Sequence, residues 1–493
     1  MLLLGIDIGT SSIKISVVDS ATQNAIASAQ YPDSENAILA PEPGFAEQSP
    51  DMWWQQVQQA IQLCNNSGGY DPADISAIGI AYQMHGLVIV NKDQQVLRDS
   101  IIWCDSRAVE IGNKAFAAIG EKKSLKHLLN SPGNFTASKL AWVKKNEPEI
   151  YDQIDKVMLP GDFIAMKFTG EVTTSESALS EGIFFDFVNN RISEDVLKYF
   201  GFSKNLFPAI QPVFSDHGRL LKSVAEKLKL KAGIPVTYKA GDQPNNALSL
   251  NVLNPGEVAA TAGTSGVIYG VSDKLAYDPQ SRVNTFAHVN YTDKQKRLGV
   301  LLCINGTGRL YSWLRSTFGQ HLSFGQMNER AAQASSGSYG VRILPFGNGV
   351  ERMLCNQPVG AHLHNIDLNL HGQSHIFRAA QEGIACSFRY GLDIMRSNGM
   401  NPSVIRAGKA NLFLSDLFTE IFVNATGVPV ELYKNDGSAG AALGAGIGSK
   451  IFKSPAEAFS KMEKIKVVEP SGNKKFEPIY EDWKALLDKE LKK

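Results

Sequence analysis

The sequence is poor in cysteine and has no net charge. Its 493 residues include 49 basic and 49 acidic side chains. The balance excludes a global basic field for nucleic acid or anionic lipid. The five cysteines are odd in number and never form a C-x-x-C pair, which argues against a disulfide framework or a structural zinc site and favours a reducing compartment. They are Cys64, Cys104, Cys303, Cys355 and Cys386.

Long apolar runs are also missing. The apolar start Met1–Leu4 is soon followed by Asp7, too early for the apolar region of a signal peptide. No run approaches the roughly 18 residues that span a bilayer. We therefore expect a cytoplasmic protein that binds neither membrane nor nucleic acid, and a homodimer is compatible with this composition.

The common nucleotide-binding motifs are absent as well. The chain has no G-x-x-x-x-G-K-[ST] loop, no G-x-G-x-x-G after a strand, and neither the H-R-D nor the D-F-G motif of protein kinases. A nucleotide would therefore have to be held by another element.

The tripeptide Gly-Thr-Ser occurs twice, at Gly9–Ser11 and at Gly263–Ser265. Each copy predicts the tip of a tight hairpin, and such a tip can cradle phosphate because glycine lets backbone N–H groups approach the anion. Two copies, opening halves of similar length, suggest two related domains that close on one polyphosphate. The predicted strands and helices alternate along the sequence, so the expected fold class is α/β. The predicted strands around the tips are Leu2–Ile8, Ile13–Val18, Val258–Thr261 and Val267–Val271.

Two aspartates stand near these hairpins. Asp7 ends the first predicted strand and suits a Mg²⁺ ligand that acts mostly through water, with a cap on the turn at Gly9 as the alternative. Asp242 follows the β-prone run Ile234–Lys239 and precedes a helix-like segment. It is a candidate base for a hydroxyl proton in phosphoryl transfer, or an ordinary helix cap.

Polar corners interrupt strands at two further places. In Gln83–Gly86 (QMHG), His85 is either a ligand-facing residue or a hydrogen-bonded structural one. In Trp103–Arg107 (WCDSR), Asp105 and Arg107 could equally form a structural ion pair.

Four histidines cluster in the second half. No carboxylate or cysteine nearby completes a recognised metal-binding spacing, so we expect structural roles for them. They are His362, His364, His371 and His375.

Two segments of the second half predict helices. Ser374–Ser397 has apolar residues every four positions, with Ser374 as the expected cap. The Gly- and Ala-rich segment Asp436–Gly448 permits either close helix packing or the approach of a planar ligand.

Taken in order, these motifs resemble those of the FGGY carbohydrate kinases, from Gly5 to about Gly448. The family's two phosphate motifs are resembled by GIDIGTSSIK and TAGTSG, and the segment of its catalytic aspartate by GDQPNNA. The segment GVER resembles the approach to the family's long helix, and HGQSHIFRAAQEGI resembles the start of that helix. The C-terminal signature of the family is resembled by GSAGAALGAG. The resemblance implies a two-domain actin/Hsp70-like ATPase fold of the ribonuclease H-like type. The domains would be 1–245 and 246–493, with the catalytic cleft between them.

The same resemblance implies ATP and Mg²⁺ as cofactors. Asp242 would be the base, and Asp7 would hold Mg²⁺ through water. A small-molecule sugar would contact Met84, His85, Gly86, Trp103, Asp105 and Asp242. The nucleotide would contact Gly9, Thr10, Ser11, Ser12, Lys14, Gly263, Thr264, Ser265, Gly306, Gly408, Lys409 and Asn411.

The Met-His-Gly of QMHG resembles the corresponding segment of the family members that act on xylulose, whereas members that act on glycerol carry Arg-Glu at this position. This implies transfer to the C5 hydroxyl of D-xylulose. A kinase of gluconate, ribulose or another sugar of the family remains an alternative, as does a non-sugar ATPase of the actin/Hsp70 fold. The segment Ile405–Asn411 departs from the family's Gly-Gly-Gly-Ala run near the adenosine and keeps only Gly408. There we expect Arg406 and Lys409 to reach the adenine.

Overall fold

The computed structural model describes residues 1–472 and 474–493. The strands, in chain order, are β1 (Leu2–Ile8), β2 (Ile13–Asp19), β3 (Asn24–Tyr31), β4 (Glu47–Gln48), β5 (Ile75–Tyr82), β6 (Val88–Val90), β7 (Ser100–Ile101), β8 (Lys156–Met158), β9 (Thr173–Thr174), β10 (Phe185–Asp186), β11 (Arg191–Ile192), β12 (Ala209–Ile210), β13 (Val236–Gly241), β14 (Glu257–Ala262), β15 (Gly266–Ser272), β16 (Asn284–Ala287), β17 (Leu298–Ile304), β18 (Arg342–Phe346), β19 (Gly360–His364), β20 (Val404–Gly408), β21 (Val430–Tyr433) and β22 (Lys464–Val468).

The helices, in chain order, are α1 (Pro50–Asn66), α2 (Val109–Ile119), α3 (Glu121–Leu128), α4 (Thr136–Asn146), α5 (Pro148–Tyr151), α6 (Pro160–Thr169), α7 (Glu176–Glu181), α8 (Glu194–Phe200), α9 (Lys222–Leu228), α10 (Asp242–Ser249), α11 (Thr307–Phe318), α12 (Phe324–Gln333), α13 (Gln373–Ser397), α14 (Asp416–Thr426), α15 (Gly437–Gly448), α16 (Pro455–Ala458) and α17 (Glu477–Glu490). In the described part of the chain, none of them combines the length and apolar character needed to cross a bilayer.

Two large sheets repeat one topology. The first has the strand order β13-β5-β1-β2-β3, and the second contains the order β21-β20-β14-β15-β17, with β22 and β16 added at its two edges. In each sheet the central strand forms an antiparallel hairpin with the next strand in sequence and pairs in parallel on its other side. Both predicted hairpins are therefore confirmed, and the two halves have the related α/β architecture that the repeated tripeptide suggested.

The first sheet is covered by helices, which is why its strands read as continuous apolar runs. Helix α1 begins at Pro50, and the Ser49 hydroxyl caps it by accepting from the Met52 amide. Trp53 is fully buried, and its indole N–H donates to Gln48 at 3.2 Å. The helix and the packing role of this tryptophan are as predicted.

Helix α15 packs directly on the first sheet although it comes late in the sequence. A Cβ added to Gly5 would lie 1.8 Å from the Ser438 carbonyl oxygen, and one added to Gly79 would lie 2.0 Å from the Ala441 carbonyl oxygen. Glycine at both positions thus permits backbone contact between sheet and helix. The Gly- and Ala-rich segment therefore serves close packing, and the division at residue 245 stays a prediction.

The long predicted helix exists, but its start differs from the prediction. Helix α13 begins at Gln373, and Gly372 precedes it as the cap. The His375 ring nitrogen Nδ1 accepts from the Gly372 amide at 3.1 Å, which supplies the reciprocal half of a capping box. The assignment of Ser374 as the cap is therefore wrong.

Candidate active site

The first Gly-Thr-Ser tip, between β1 and β2, is tied to both polar corners of the first half. The Gly9 amide closes the turn by donating to the Ser12 carbonyl at 3.1 Å. The Thr10 hydroxyl donates to Gln83 at 3.1 Å and accepts from the Trp103 indole at 2.9 Å. The two successive hydrogen bonds from Trp103 to Thr10 and from Thr10 to Gln83 therefore fix the tip relative to the QMHG corner.

The second tip, between β14 and β15, is held by the start of α11. The Gly308 amide donates to the Gly263 carbonyl at 3.0 Å. A Cβ at position 308 would lie only 2.3 Å from that carbonyl oxygen, so the approach requires glycine. The Asn411 side chain also lies close to Gly263. The structure therefore brings Asn411 to the second tip, and its contact with the nucleotide stays a prediction.

Gly306 lies just before α11 in a turn that a buried carboxylate holds. Both Glu351 oxygens accept from the Asn305 amide, at 2.8 and 3.0 Å. A cavity of about 300 Å³ opens beside Gly306, and its lining includes Arg309 and the half-exposed indole of Trp313. These neighbours suit a planar, polar ligand.

The segment that departs from the family pattern contains one structural arginine. Arg406 pairs with Glu257 at 3.1 Å and with Glu431 at 2.9 Å. Its guanidinium is committed to these carboxylates across the sheet, so the expectation that it reaches the adenine is not met. Lys409, by contrast, has an exposed side chain beyond Gly408, the last residue of β20.

Carboxylates converge where β1 and β13 end. Asp7 pairs in register with Lys14 across the first hairpin. Asp242 is the first residue of α10, and Gly241 occupies the cap position, so the alternative role of Asp242 as helix cap is not found. Burial and the charge of Asp7 raise the pKa of Asp242 to about 7. Burial and the charge of Asp436 raise the pKa of Asp7 to about 6, against a smaller lowering by Lys14.

This concentration of negative charge fits a divalent cation. Asp436 is engaged as the cap of α15, where it accepts from the Ser438 and Ala439 amides. Asp7 and Asp242, which interact electrostatically with each other, remain as candidate oxygen donors. Mg²⁺ takes one or two carboxylates and keeps several waters, which matches this donor set.

The QMHG corner presents a neutral histidine. His85 has a φ of 63°, and its Nδ1 lies 3.0 Å from the Glu181 carbonyl oxygen. Because a carbonyl only accepts, Nδ1 carries the hydrogen and Nε2 is left as an acceptor. Burial, with nearby Lys139 and Arg352, lowers the pKa of His85 to about 3, so the ring is uncharged at neutral pH.

Lys139 supports this corner, and the sequence analysis missed it. Its side chain is fully buried and donates to the carbonyls of His85 and Ile102, both at 2.9 Å. It lies in the lysine-containing helix α4, where neighbouring lysines lie nearer the surface. Only the tertiary structure distinguishes it from them.

Glu181 was also missed, and it lies between the corner and Asp242. A Cβ on Gly241 would lie 2.6 Å from both Glu181 Oε2 and Met84 Cγ. The other carboxylate oxygen of Glu181 is buried and has no hydrogen-bond partner in the part of the chain that the structure describes. Burial, and to a lesser extent the charge of Asp242, raise the pKa of Glu181 well above its usual range, which favours the neutral form of this carboxyl.

The other two predicted sugar contacts near this corner have different surroundings. Gly86 packs against Pro160, where a Cβ would lie 2.8 Å from the ring. Asp105 is buried and pairs with Arg107 at 2.7 Å, while its carboxylate also accepts from the Ala46 amide at 2.6 Å. The structural ion pair that the sequence left open is thus present, and it orders the loop that carries Trp103.

Comparison with known proteins places these features in a family. The FGGY family of carbohydrate kinases, N-terminal domain, matches residues 2–249, and its C-terminal domain matches residues 258–448. The xylulose kinase of Escherichia coli (strain K12) is 28% identical over 457 residues, which cover 92% of this chain and 91% of that protein.

Solved structures share the whole fold. A xylulose kinase from Rhodospirillum rubrum has a TM-score of 0.89 at 23% identity and covers 99% of both chains. Plasmodium falciparum glycerol kinase with ADP has a TM-score of 0.88 at 20% identity, over 99% of this chain and 98% of that one. The fold is thus common to kinases of different acceptors, and it does not by itself select one.

Proposed function

Because this chain belongs to the FGGY family of carbohydrate kinases, we propose that it transfers the γ-phosphoryl group of ATP to the C5 hydroxyl of D-xylulose. The family itself makes the chain an ATP-dependent sugar kinase. The acceptor, the position of transfer and the role of each residue are the proposal.

One contact carries the choice of a sugar acceptor. The Met84 side chain packs against Gly241, the residue directly before Asp242. The QMHG corner and the candidate base therefore form a single wall of the cleft. A non-sugar ATPase would have no need of an acceptor corner at this place. The xylulose kinase from Escherichia coli, which matches along nearly the whole chain, supports the choice of D-xylulose.

Asp242 serves as the general base in this proposal. Its carboxylate accepts the C5 hydroxyl proton while the hydroxyl oxygen bonds to the γ-phosphorus and the bond to the ADP oxygen breaks. A pKa raised to about 7 makes it a stronger proton acceptor than an ordinary carboxylate, yet leaves it largely ionised slightly above neutral pH. The neutral His85 ring offers Nε2 to a sugar hydroxyl, and burial, which raises the pKa of Glu181, disfavours a second negative charge beside the base.

The two tips position the phosphates. In the first tip the Gly9 amide and the Thr10 hydroxyl are bonded within the protein, so the other backbone N–H groups of Gly9–Ser12 bind phosphate in this proposal, together with those of Gly263–Ser265 and with Lys14 beside the first tip. The adenosine lies towards Gly306 and Asn411 in this account. Asp7 would hold Mg²⁺ through water, and the cation would supply charge neutralisation for the phosphates. Closure of the two halves excludes water, which would otherwise compete as the acceptor.

The direct test is to identify the product. Incubation with ATP, Mg²⁺ and D-xylulose should yield ADP and a phosphate monoester at C5, observed by ³¹P and ¹³C NMR. Asp242→Ala should remove turnover while ATP binding, measured by calorimetry, stays within a few-fold of the wild type. Phosphorylation at another carbon, or wild-type turnover in Asp242→Ala, would contradict the proposal.

A further inference from the structure

A cluster of metal-ligating side chains lies outside the active-site residues, where β19 meets α17. His362, His364 and Glu490 each offer one ligand atom, and these atoms lie within 4.8 Å of one another. We propose that the three side chains form a binding site for Zn²⁺ or a similar divalent transition metal.

The alternation of a β-strand brings the two histidines together. Side chains two residues apart point to the same face, so His362 and His364 lie side by side on β19. Their rings are nearly parallel, with an angle of 16° and centroids 5.6 Å apart. Ala361 and Leu363 alternate with them and line the cavity beside Gly306. The two imidazoles therefore lie on the opposite side of the same strand.

The carboxylate comes from a firmly anchored helix. Trp483 of α17 is fully buried, and its indole donates to the Ile343 carbonyl of β18 at 2.8 Å. Leu487, one turn later, is also fully buried. Glu490 follows at the next turn of the same face and places a carboxylate oxygen 3.9 Å from His362 Nε2.

The hydrogen-bonding state of the cluster points to a missing partner. The His364 Nε2 atom is buried and has no hydrogen-bond partner among the described residues. Buried polar side-chain atoms are normally satisfied, so such an atom calls for an explanation. His362 Nε2 donates to the Val359 carbonyl at 2.8 Å, so Nδ1 is the nitrogen that this ring would offer to a metal, and the hydrogen bond would orient the ligating imidazole. Glu490 is paired with Lys493 at 2.6 Å, and a metal would displace this mostly exposed lysine.

The donor set selects the class of metal. Two imidazole nitrogens, one carboxylate and an open position for water are typical of zinc, with ligands about 2.0–2.2 Å from the metal. Ligand atoms around one such ion lie roughly 3.4 Å apart, so small side-chain rotations would close the site. Mg²⁺ prefers an all-oxygen octahedron and does not fit. A bound metal would link β19 to α17 on the face of β19 that is opposite the Gly306 cavity.

The test is a titration of the metal-free full-length protein with ZnCl₂ against a chromogenic chelator. We expect one site per chain in the wild type and an affinity at least about tenfold lower in His364→Ala and in Glu490→Gln. His371→Ala is the matched control, because this histidine belongs to the same segment but lies outside the cluster. It should bind as the wild type does, and Lys493→Ala should bind more tightly.

One comparison within the titration and one further measurement keep the result unambiguous. Cys104, Cys303 and Cys355 are exposed and can give background binding, so the difference between His364→Ala and His371→Ala decides the matter. Melting temperatures of all variants without zinc should agree with the wild type, and added zinc should raise them only where the cluster is intact. Equal zinc affinities in all variants, or no saturable binding, would overturn the proposal.

Discussion

Replacing Asp242 by Asn tests both the chemistry and the electrostatics of the cleft. The change removes the charge and the proton-accepting oxygen while keeping the shape of the side chain. Loss of a general base lowers kcat by about 10²–10⁴-fold. The pH profile gives the sharper signature. Log kcat/KM of the wild type should rise with unit slope up to about pH 7 and then level off, because Asp242 must lose its proton. Bound Mg²⁺ should shift this limb to lower pH, since a cation favours the ionised form.

The same substitution should stabilise the folded protein. The pKa of Asp242 is raised from 3.8 to about 7, so the folded state holds the proton more tightly than the unfolded state. Stability is therefore lost as the pH rises through this interval, and the full penalty is present above pH 7. A shift of three units corresponds to about 4 kcal/mol. Because the carboxyl keeps some contact with solvent in the cleft, we expect about 1–2 kcal/mol.

Thermal melting in the absence of Mg²⁺ and nucleotide measures this effect. Asp242→Asn should melt above the wild type at pH 8, and the difference should shrink towards pH 4, where both side chains are uncharged. A variant that melts below the wild type at pH 8, or an equal difference at both pH values, would refute the electrostatic reasoning. Wild-type kcat in the variant would refute the role of Asp242 as base.

Two further substitutions separate the nucleotide and sugar ends of the cleft. Gly308→Ala should raise the KM for ATP by one to two orders of magnitude, because its Cβ would press on the Gly263 carbonyl at 2.3 Å and displace the second tip. The matched control is Gly325→Ala, since Gly325 has the same position in the first turn of α12 but a Cβ there has its nearest contact at 3.7 Å. This control should leave the KM for ATP unchanged, and equal changes of KM in the two variants would contradict the reasoning. His85→Ala should raise the KM for the ketose more than that for ATP, whereas His371→Ala should change neither. Equal changes in both KM values for His85→Ala would remove its sugar contact.

Local patterns predicted the elements that depend on local physics. The Gly-Thr-Ser hairpins and α1 were predictable because turn residues, β-prone runs and a serine cap act over a few neighbouring positions. The order of the motifs and their resemblance to a family added the two-domain architecture. The cap of α13 was misplaced by two residues, from Gly372 to Ser374, because the side chain of His375 bonds back to the Gly372 amide.

Contacts between distant segments were not predictable. Glu181 and Lys139 reach the QMHG corner only through folding, and neither lies in a motif. Glu490 lies far along the chain from His362 and His364, and no carboxylate near the histidines completed a recognised metal-binding spacing in the sequence. Arg406 was expected at the adenine, whereas the pairing of β20 with its neighbours places it between Glu257 and Glu431.

The most direct test of the central claim is a comparison of acceptors under one condition. ADP release should be measured with saturating ATP and Mg²⁺ over D-xylulose, D-ribulose, gluconate and glycerol, with kcat/KM determined for each. We predict that D-xylulose has the highest kcat/KM and that His85→Ala lowers this preference. A higher value for any other acceptor, or ADP release that no acceptor stimulates, would contradict the account.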